Sequence, residues 1–235
     1  MEITIIHGQA HRGSTYHITE LIRDSLVKDA GTVHEYYMPG DAPAFCVGCF
    51  GCIMKGEEKC PEQAKVQRIV TSMLASEIII IDSPNYCFEM TGQLKTLMDH
   101  LAYMWMPHRP RKEMFSKIGI VISTAAGGGA GSVTKSLARQ MFWWGVPRIH
   151  RVHFAVNASR WDEVPEQIRL KIIRKVEAVS GKINRQINKK KPDIRHLILF
   201  NIIRMMQQKN NWNTADRDYW GNNGWLGKAR PWRNL

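Results

Sequence analysis

The stretch Glu77–Pro84, EIIIIDSP, carries the reading of the fold. Its four consecutive isoleucines, Ile78 to Ile81, show no alternation of apolar and polar residues. A strand built from them buries both of its faces, as a central strand of a parallel sheet does. Pro84 then ends the strand.

Similar runs recur on both sides of it. Met1–His7 (MEITIIH) reads as a first strand that stops at Gly8, and Thr32–Met38 (TVHEYYM) as a second. Ile118–Ser123 (IGIVIS) and Arg148–Val156 supply two more. Between the strands lie helical periodicities over about Tyr16–Lys28, Glu62–Ala75, Gly92–Met106 and Ser132–Trp144, and a long one follows over about Pro165–Asn188. Strand and helix alternate five times, which predicts an α/β doubly wound parallel sheet.

The chain has 235 residues, 44% of them apolar, enough for one sizeable domain or a smaller domain with an appendage. No stretch approaches a membrane span, and MEITIIHGQAH reads as a strand and not a signal peptide, so a cytoplasmic location is expected. In that compartment, cysteine clusters serve metals or redox chemistry more often than structural disulfides. The formal charge of +12 is unevenly placed: residues 1–150 hold 15 Lys+Arg against 14 Asp+Glu, and residues 151–235 hold 18 against 7. A solvated basic face accounts for this, and an acidic partner would also match it.

In such sheets ligands bind beyond the carboxyl ends of the strands. Three loops there are unusual. GQAHRGST, Gly8–Thr15, places Ser14 and Thr15 at a helix N-terminus, which suits a phosphate or equally an ordinary Ser/Thr cap. It matches neither a dinucleotide fingerprint nor a P-loop. SPNYCFEMTGQLKTLMDH, Ser83–His100, offers Asn85, Tyr86 and Phe88 as amide and aromatic surface for a planar ring, with Thr91 placed to cap the next helix. STAAGGGAGS, Ser123–Ser132, lets another group approach the backbone closely. Together they suit a mononucleotide with a flat head group.

Between the second strand and the second helix lies CVGCFGCIMKGEEKC, Cys46–Cys60, with the spacing C-x2-C-x2-C-x7-C. Three regularly spaced thiolates and a fourth farther on match the ligand count of a 4Fe-4S cluster. Zinc motifs more typically separate two C-x2-C pairs by a longer stretch. A loop without metal, packed at a subunit interface, also remains open.

These motifs, in this order, resemble the flavodoxin-like NAD(P)H-dependent FMN reductase family, and the cysteine stretch resembles its iron–sulfur flavoprotein branch. The likeness spans about residues 1–185 and implies a flavodoxin-like five-stranded sheet of order 2-1-3-4-5. It further implies FMN as prosthetic group, NAD(P)H as co-substrate and a homodimer or tetramer. Carried over by position, Gln9, His11, Ser14 and Thr15 would hold the FMN phosphate, with Arg12 supplying charge. Pro84, Asn85, Tyr86, Cys87 and Phe88 would flank the ribityl chain and ring, with Thr124, Gly127 and Gly128 opposite. The branch's cluster ligands fall on Cys46, Cys49, Cys52 and Cys60. Gln9, Ala10 and His11 depart from the family's usual Ser-Pro-Arg.

Domain boundaries are expected at 1–190 for the FMN-binding domain, with the cysteine insertion at 46–60, and at 191–235 for a basic, Trp-rich extension. That extension has an apolar helix over Ile194–Met206 and a loop-rich tail holding four of the eight tryptophans. Ile194–Met206 is too short to span a membrane; docking on its own domain or on a second subunit is the expected fate, and a surface-lying helix at an acidic membrane the alternative. No nucleic-acid module accompanies the tail, so no specific nucleic acid is expected. The resemblance implies hydride transfer from a nicotinamide to flavin and on to a quinone, flavin or iron acceptor. The alternative is an electron carrier or redox-sensing binding protein without NAD(P)H turnover. No general base is needed, and His11, His100 and His108 are read as structural or surface residues.

Overall fold

A computed structural model describes residues 1–27, 31–189 and 191–233. Five strands, β1 (Glu2–His7), β2 (Thr32–Tyr37), β3 (Ile78–Asp82), β4 (Ile118–Ala125) and β5 (Arg148–Ala155), form one parallel sheet in the order β2-β1-β3-β4-β5. Helices cover both faces: α1 (Ser14–Leu26) and α6 (Glu166–Gln186) on one, α3 (Gln63–Ala75), α4 (Gly92–His100) and α5 (Ala130–Trp143) on the other. A short helix, α2 (Gly51–Met54), lies inside the cysteine stretch. The flavodoxin-like expectation is met.

The isoleucine run divides between two cores, which is why it shows no alternation. Ile79 and Ile81 pack with Val66 and Ile69 of α3, Leu97 of α4 and Leu137 of α5. Ile78 and Ile80 pack with Ile18 and Ile22 of α1 and Ile172 of α6. Each side chain is fully buried, a contribution of about 1.5–3 kcal/mol apiece. Gly119 in the middle of β4 sets the approach of α5, since a Cβ there would lie 2.5 Å from Met141 Sδ. At the sheet edge, β5 exposes Arg151 and His153, polar groups that discourage further strand pairing.

The helix expected over Gly92–Met106 stops at His100 and passes into a 3-10 turn over Ala102–Met104. Met106 N–H donates to the Trp143 carbonyl at 2.7 Å and Arg109 N–H to that of Tyr103 at 2.9 Å, so tertiary bonds replace the helical ladder before Pro107. Helix α5 starts at Ala130, two residues earlier than expected, directly behind Gly129 at φ +96°. The expected helix end at Lys28 and the middle of the Lys189–Lys191 run lie outside the described residues.

Beyond that run, α7 (Ile194–Gln208) is capped by Asp193, whose carboxylate accepts from His196 N–H at 3.0 Å. The tail expected to be loop-rich contains a further helix, α8 (Thr214–Asn222), capped by Asn213. Phe200, Ile203, Trp220 and Trp225 of this region form a third core with Met106 and Phe115. Among the described residues no helix is long and apolar enough to cross a membrane.

Candidate flavin cleft and cysteine loop

The loops after β1, β3 and β4 meet at the carboxyl edge of the sheet around a cleft of about 290 Å³. Of the residues expected there, Gln9, His11, Ser14, Thr15, Pro84, Asn85, Tyr86 and Thr124 line it. Helix α1 enters from Gly13 with no side-chain cap and no acid in its first turn. Ser14 and Thr15 therefore do not act as caps: Thr15 Oγ1 instead bonds Thr124 Oγ1 at 2.6 Å, tying the first loop to the third. The free N–H groups at the helix start give this end of the cleft the donors and partial positive charge that fit a phosphate.

Thr91 Oγ1 does cap α4, accepting from Leu94 N–H at 3.4 Å, and it also donates to the Gly8 carbonyl at 2.5 Å. The second and third loops are joined by Asn85 Nδ2, which donates to the Gly128 carbonyl at 3.1 Å. Asn85 Oδ1 is buried without a partner, an acceptor that a bound N–H or O–H would satisfy. Gly129 belongs here on steric grounds, because a Cβ would stand 2.5 Å from Asn85 Nδ2 at a φ that already disfavours side chains.

The other expected residues sit beside the cleft. Arg12 extends over the Tyr16 ring, 5.3 Å from its centroid. Cys87 and Phe88 form an exposed turn at φ +52° and +64°, closed by the Tyr86–Glu89 bridge. Gly127 and Gly128 have nothing within 4 Å of an added Cβ. Tyr16, Asp82, Ala125, Ala126, Val156, Ala158 and Ser159, absent from the sequence-based set, also line the cleft.

Asp82 is the most consequential of these. His7 and Asp82 are register partners at the ends of β1 and β3, and His7 Nδ1 lies 2.6 Å from Asp82 Oδ2. Thr19 Oγ1 donates to the same oxygen at 2.7 Å, and the imidazole stacks on Tyr37 at 4.5 Å. Burial would lower the His7 pKa, but the hydrogen bond and charge of Asp82, helped by Glu35 and Glu20, raise it. His7 thus holds its proton more tightly beside Asp82, a carboxylate lining the cleft. The signal was present in the sequence: MEITIIH and EIIIID end in His and Asp, and a neighbouring parallel register puts those ends side by side.

The cysteine loop lies farther along α4. Cys60 Sγ is 3.4 Å from His100 Nδ1, and His100 Nε2 donates to the Ala44 carbonyl at 2.8 Å, so this buried histidine ties both ends of the loop together. That Nε2–H leaves Nδ1 of the neutral ring to accept from the thiol. All five cysteines are free thiols. Burial raises the Cys52 pKa, and so does negative charge on Cys60, Cys46 and Cys49. Among the described residues no group of three or more His, Cys, Asp or Glu converges on a single metal ion.

The loop is held from below. Arg109, 4% exposed, pairs with buried Asp216 of α8 and donates to the carbonyls of Cys52 and of Ile53, the latter at 3.1 Å. Its Nε reaches Glu57 at 3.3 Å, and Arg111 pairs with Glu57 as well. Asn213 Nδ2 adds a bond to the Ile53 carbonyl at 3.0 Å, and His108 Nδ1 lies 2.7 Å from Asp216.

Residues 1–160 match the family model described as NADPH-dependent FMN reductase. An iron-sulfur flavoprotein of Archaeoglobus fulgidus is 25% identical over 188 residues, covering 77% of this chain and 80% of its own. An iron-sulfur flavoprotein of Methanocaldococcus jannaschii is 31% identical over 119 residues, 49% of this chain and 58% of its own. The solved structure of an FMN-dependent NADH-azoreductase from Bacillus anthracis in complex with FMN superposes with a TM-score of 0.59 at 14% identity, covering 78% of this chain and 99% of that one. At that identity it speaks for the fold alone.

Proposed function

This chain belongs to the NADPH-dependent FMN reductase family and is a flavin oxidoreductase; from that premise we propose that its FMN lies in the cleft at the carboxyl edge and turns over with NAD(P)H. The supporting observation is the uncapped N-terminus of α1 opening into the same cleft as Asn85 and Tyr86. Bound FMN supplies hydride acceptance from the nicotinamide and onward delivery of electrons to a quinone, flavin or iron acceptor.

The protein's own work is binding and orientation. Backbone N–H groups from Ser14 onward, with Gln9 and His11, hold the phosphate. Asp82 stays paired with His7, so the anion meets no net negative charge. Pro84, Asn85 and Tyr86 form one wall and Thr124 the other, with Asn85 Oδ1 accepting from the ligand. Arg12, Cys87, Phe88, Gly127 and Gly128 border the opening, where a second substrate reaches the exposed edge. No side chain is assigned to proton transfer.

The second reading rests on the cysteine loop: Cys46, Cys49, Cys52 and Cys60 hold a 4Fe-4S cluster, and the protein carries electrons without NAD(P)H turnover. The C-x2-C-x2-C-x7-C spacing on one short loop, anchored by Arg109 through the Cys52 and Ile53 carbonyls, supports this reading. Residues 1–190 would then form the redox domain, with residues 191–235 as the brace of the cysteine loop, in a cytoplasmic homo-oligomer. Anaerobic purification followed by flavin, iron and sulfide assays, then NADPH and NADH oxidation with a quinone or ferric acceptor, separates the readings. Flavin with turnover supports the enzyme; flavin with iron and sulfide but no turnover supports the carrier. Absence of flavin refutes both.

A further inference from the structure

Helix α7 is apolar on two opposite faces. Its inner face, Phe200 and Ile203 together with buried His196 and Gln207, packs on the domain. Its outer face carries Ile194, Ile198, Ile202, Met205 and Met206, and Trp212 follows just beyond the helix; these six are 45% to 69% exposed. Spacings of four from Ile194 to Ile198 and to Ile202, then of three to Met205 and four to Met206 from Ile202, place the helical five on one stripe along a helix about 22 Å long. Scattered surface hydrophobics are ordinary, but a continuous stripe of this kind marks an interaction surface.

Cations outnumber carboxylates around the stripe. Helix α7, IRHLILFNIIRMMQQ, contains no Asp or Glu. Arg195 projects beside the stripe with its side chain 73% exposed, and Lys209 follows the last turn. On one flank Arg230 bonds Asn201 Oδ1 at 3.3 Å and Arg204 bonds the Gly227 carbonyl at 2.9 Å. Burial, and then the like charges of Arg204 and Arg233, hold Arg230 below the usual guanidinium range, so three cations crowd there. Two carboxylates border it, and both are committed: Asp193 to His196 and Arg195, and Asp216, beside Met206 and Trp212, to Arg109 and His108.

From the exposed stripe and its cation-rich rim we propose that the outer face of α7 docks on the surface of an anionic lipid bilayer. The helix is too short to cross and so lies in the interface, with Ile and Met side chains entering the acyl boundary, Trp212 at headgroup level and the cations meeting lipid phosphates. A second copy of the chain is disfavoured as occupant. A two-fold pairing of α7 with itself sets Arg195 and Lys209 of one copy against the same groups of the other, with no carboxylate on the helix to meet them.

The test is flotation of the purified full-length protein with vesicles of phosphatidylcholine alone and of phosphatidylcholine mixed with phosphatidylglycerol. The expected result is binding to the mixed vesicles only, with a blue shift of tryptophan emission and release at high salt. Two variants at exposed positions, Ile198→Glu/Ile202→Glu and Arg195→Glu/Lys209→Glu, should each weaken binding by more than about tenfold while keeping the far-ultraviolet circular dichroism of the parent. Failure of the parent to float at low salt overturns the proposal, as does equal binding to uncharged vesicles. A concentration-dependent dimer that Ile198→Glu dissociates, without vesicle binding, would overturn it in favour of self-association.

Discussion

His7 and Asp82 pair at 2.6 Å with side chains 1% and 4% exposed, and Asp82 lines the cleft proposed to take FMN. Because the His7 pKa is raised in the folded chain, its stabilising effect is fully present below the ordinary 6.5 and is lost as pH rises through the folded value. Thermal melting followed from pH 6 upward should show this decline. His7→Gln should abolish that dependence and cost about 3 kcal/mol or more, because it removes the imidazole partner of a buried carboxyl group. The same variant should weaken FMN more than riboflavin, since only the phosphate meets the bare carboxylate; equal losses for the two ligands would disprove the electrostatic role. A positional comparison of loops missed this pair, because the imidazole lies in a strand and its partner is 75 residues away.

At the scale of elements, legibility followed the source of each element's stability. The strands could be read because their apolar runs are filled by burial on both faces, a property written in consecutive residues. Helix α8 could not. Its segment TADRDYWGN is mostly polar, and what holds it is the Asn213 cap and the seating of Asp216 and Trp220 in a core built by distant residues. Helix α2 is a single turn entered through Phe50 at φ +57°, with no periodicity to detect. The cysteine spacing was plain in the sequence, but its support by Arg109 was not, since the guanidinium reaches Cys52 and Asp216 from a segment distant from both. Asp216→Asn should therefore destabilise the chain by about 3 kcal/mol in urea denaturation, leaving buried Arg109 with only Glu57, at 3.3 Å, as its counter-charge. It should also speed the reaction of Cys52 with a thiol reagent. Arg109→Met/Asp216→Leu should restore much of the stability but not the slow thiol reaction, because the bonds to the Cys52 and Ile53 carbonyls are gone; loss of both would mean that packing, and not the bonds, holds the loop.

For the molecule as a whole, the composition break near Lys189–Pro192 follows α6, the last helix packed on the sheet, yet it does not mark where the core ends. Met106 and Phe115 precede the break, Phe200, Trp220 and Trp225 follow it, and they share one apolar cluster. The segment Pro107–Pro110 gives its carbonyls across the break: Pro107 to Gln207 Nε2 at 2.5 Å, His108 to Trp220 Nε1 at 2.7 Å and Pro110 to the Tyr219 hydroxyl at 2.7 Å. Deleting residues 191–235 would strip these partners, expose Phe115 and Trp143, and leave Arg109 without Asp216. Removing even one large buried aromatic typically costs about 3–5 kcal/mol, against a total stability of about 5–15 kcal/mol for a domain. The truncated chain should then be insoluble, or melt far below the parent with its cysteine loop open to thiol reagents. A soluble truncation that melts with the parent and retains slow-reacting thiols would show that the sheet domain is self-sufficient and the extension merely appended.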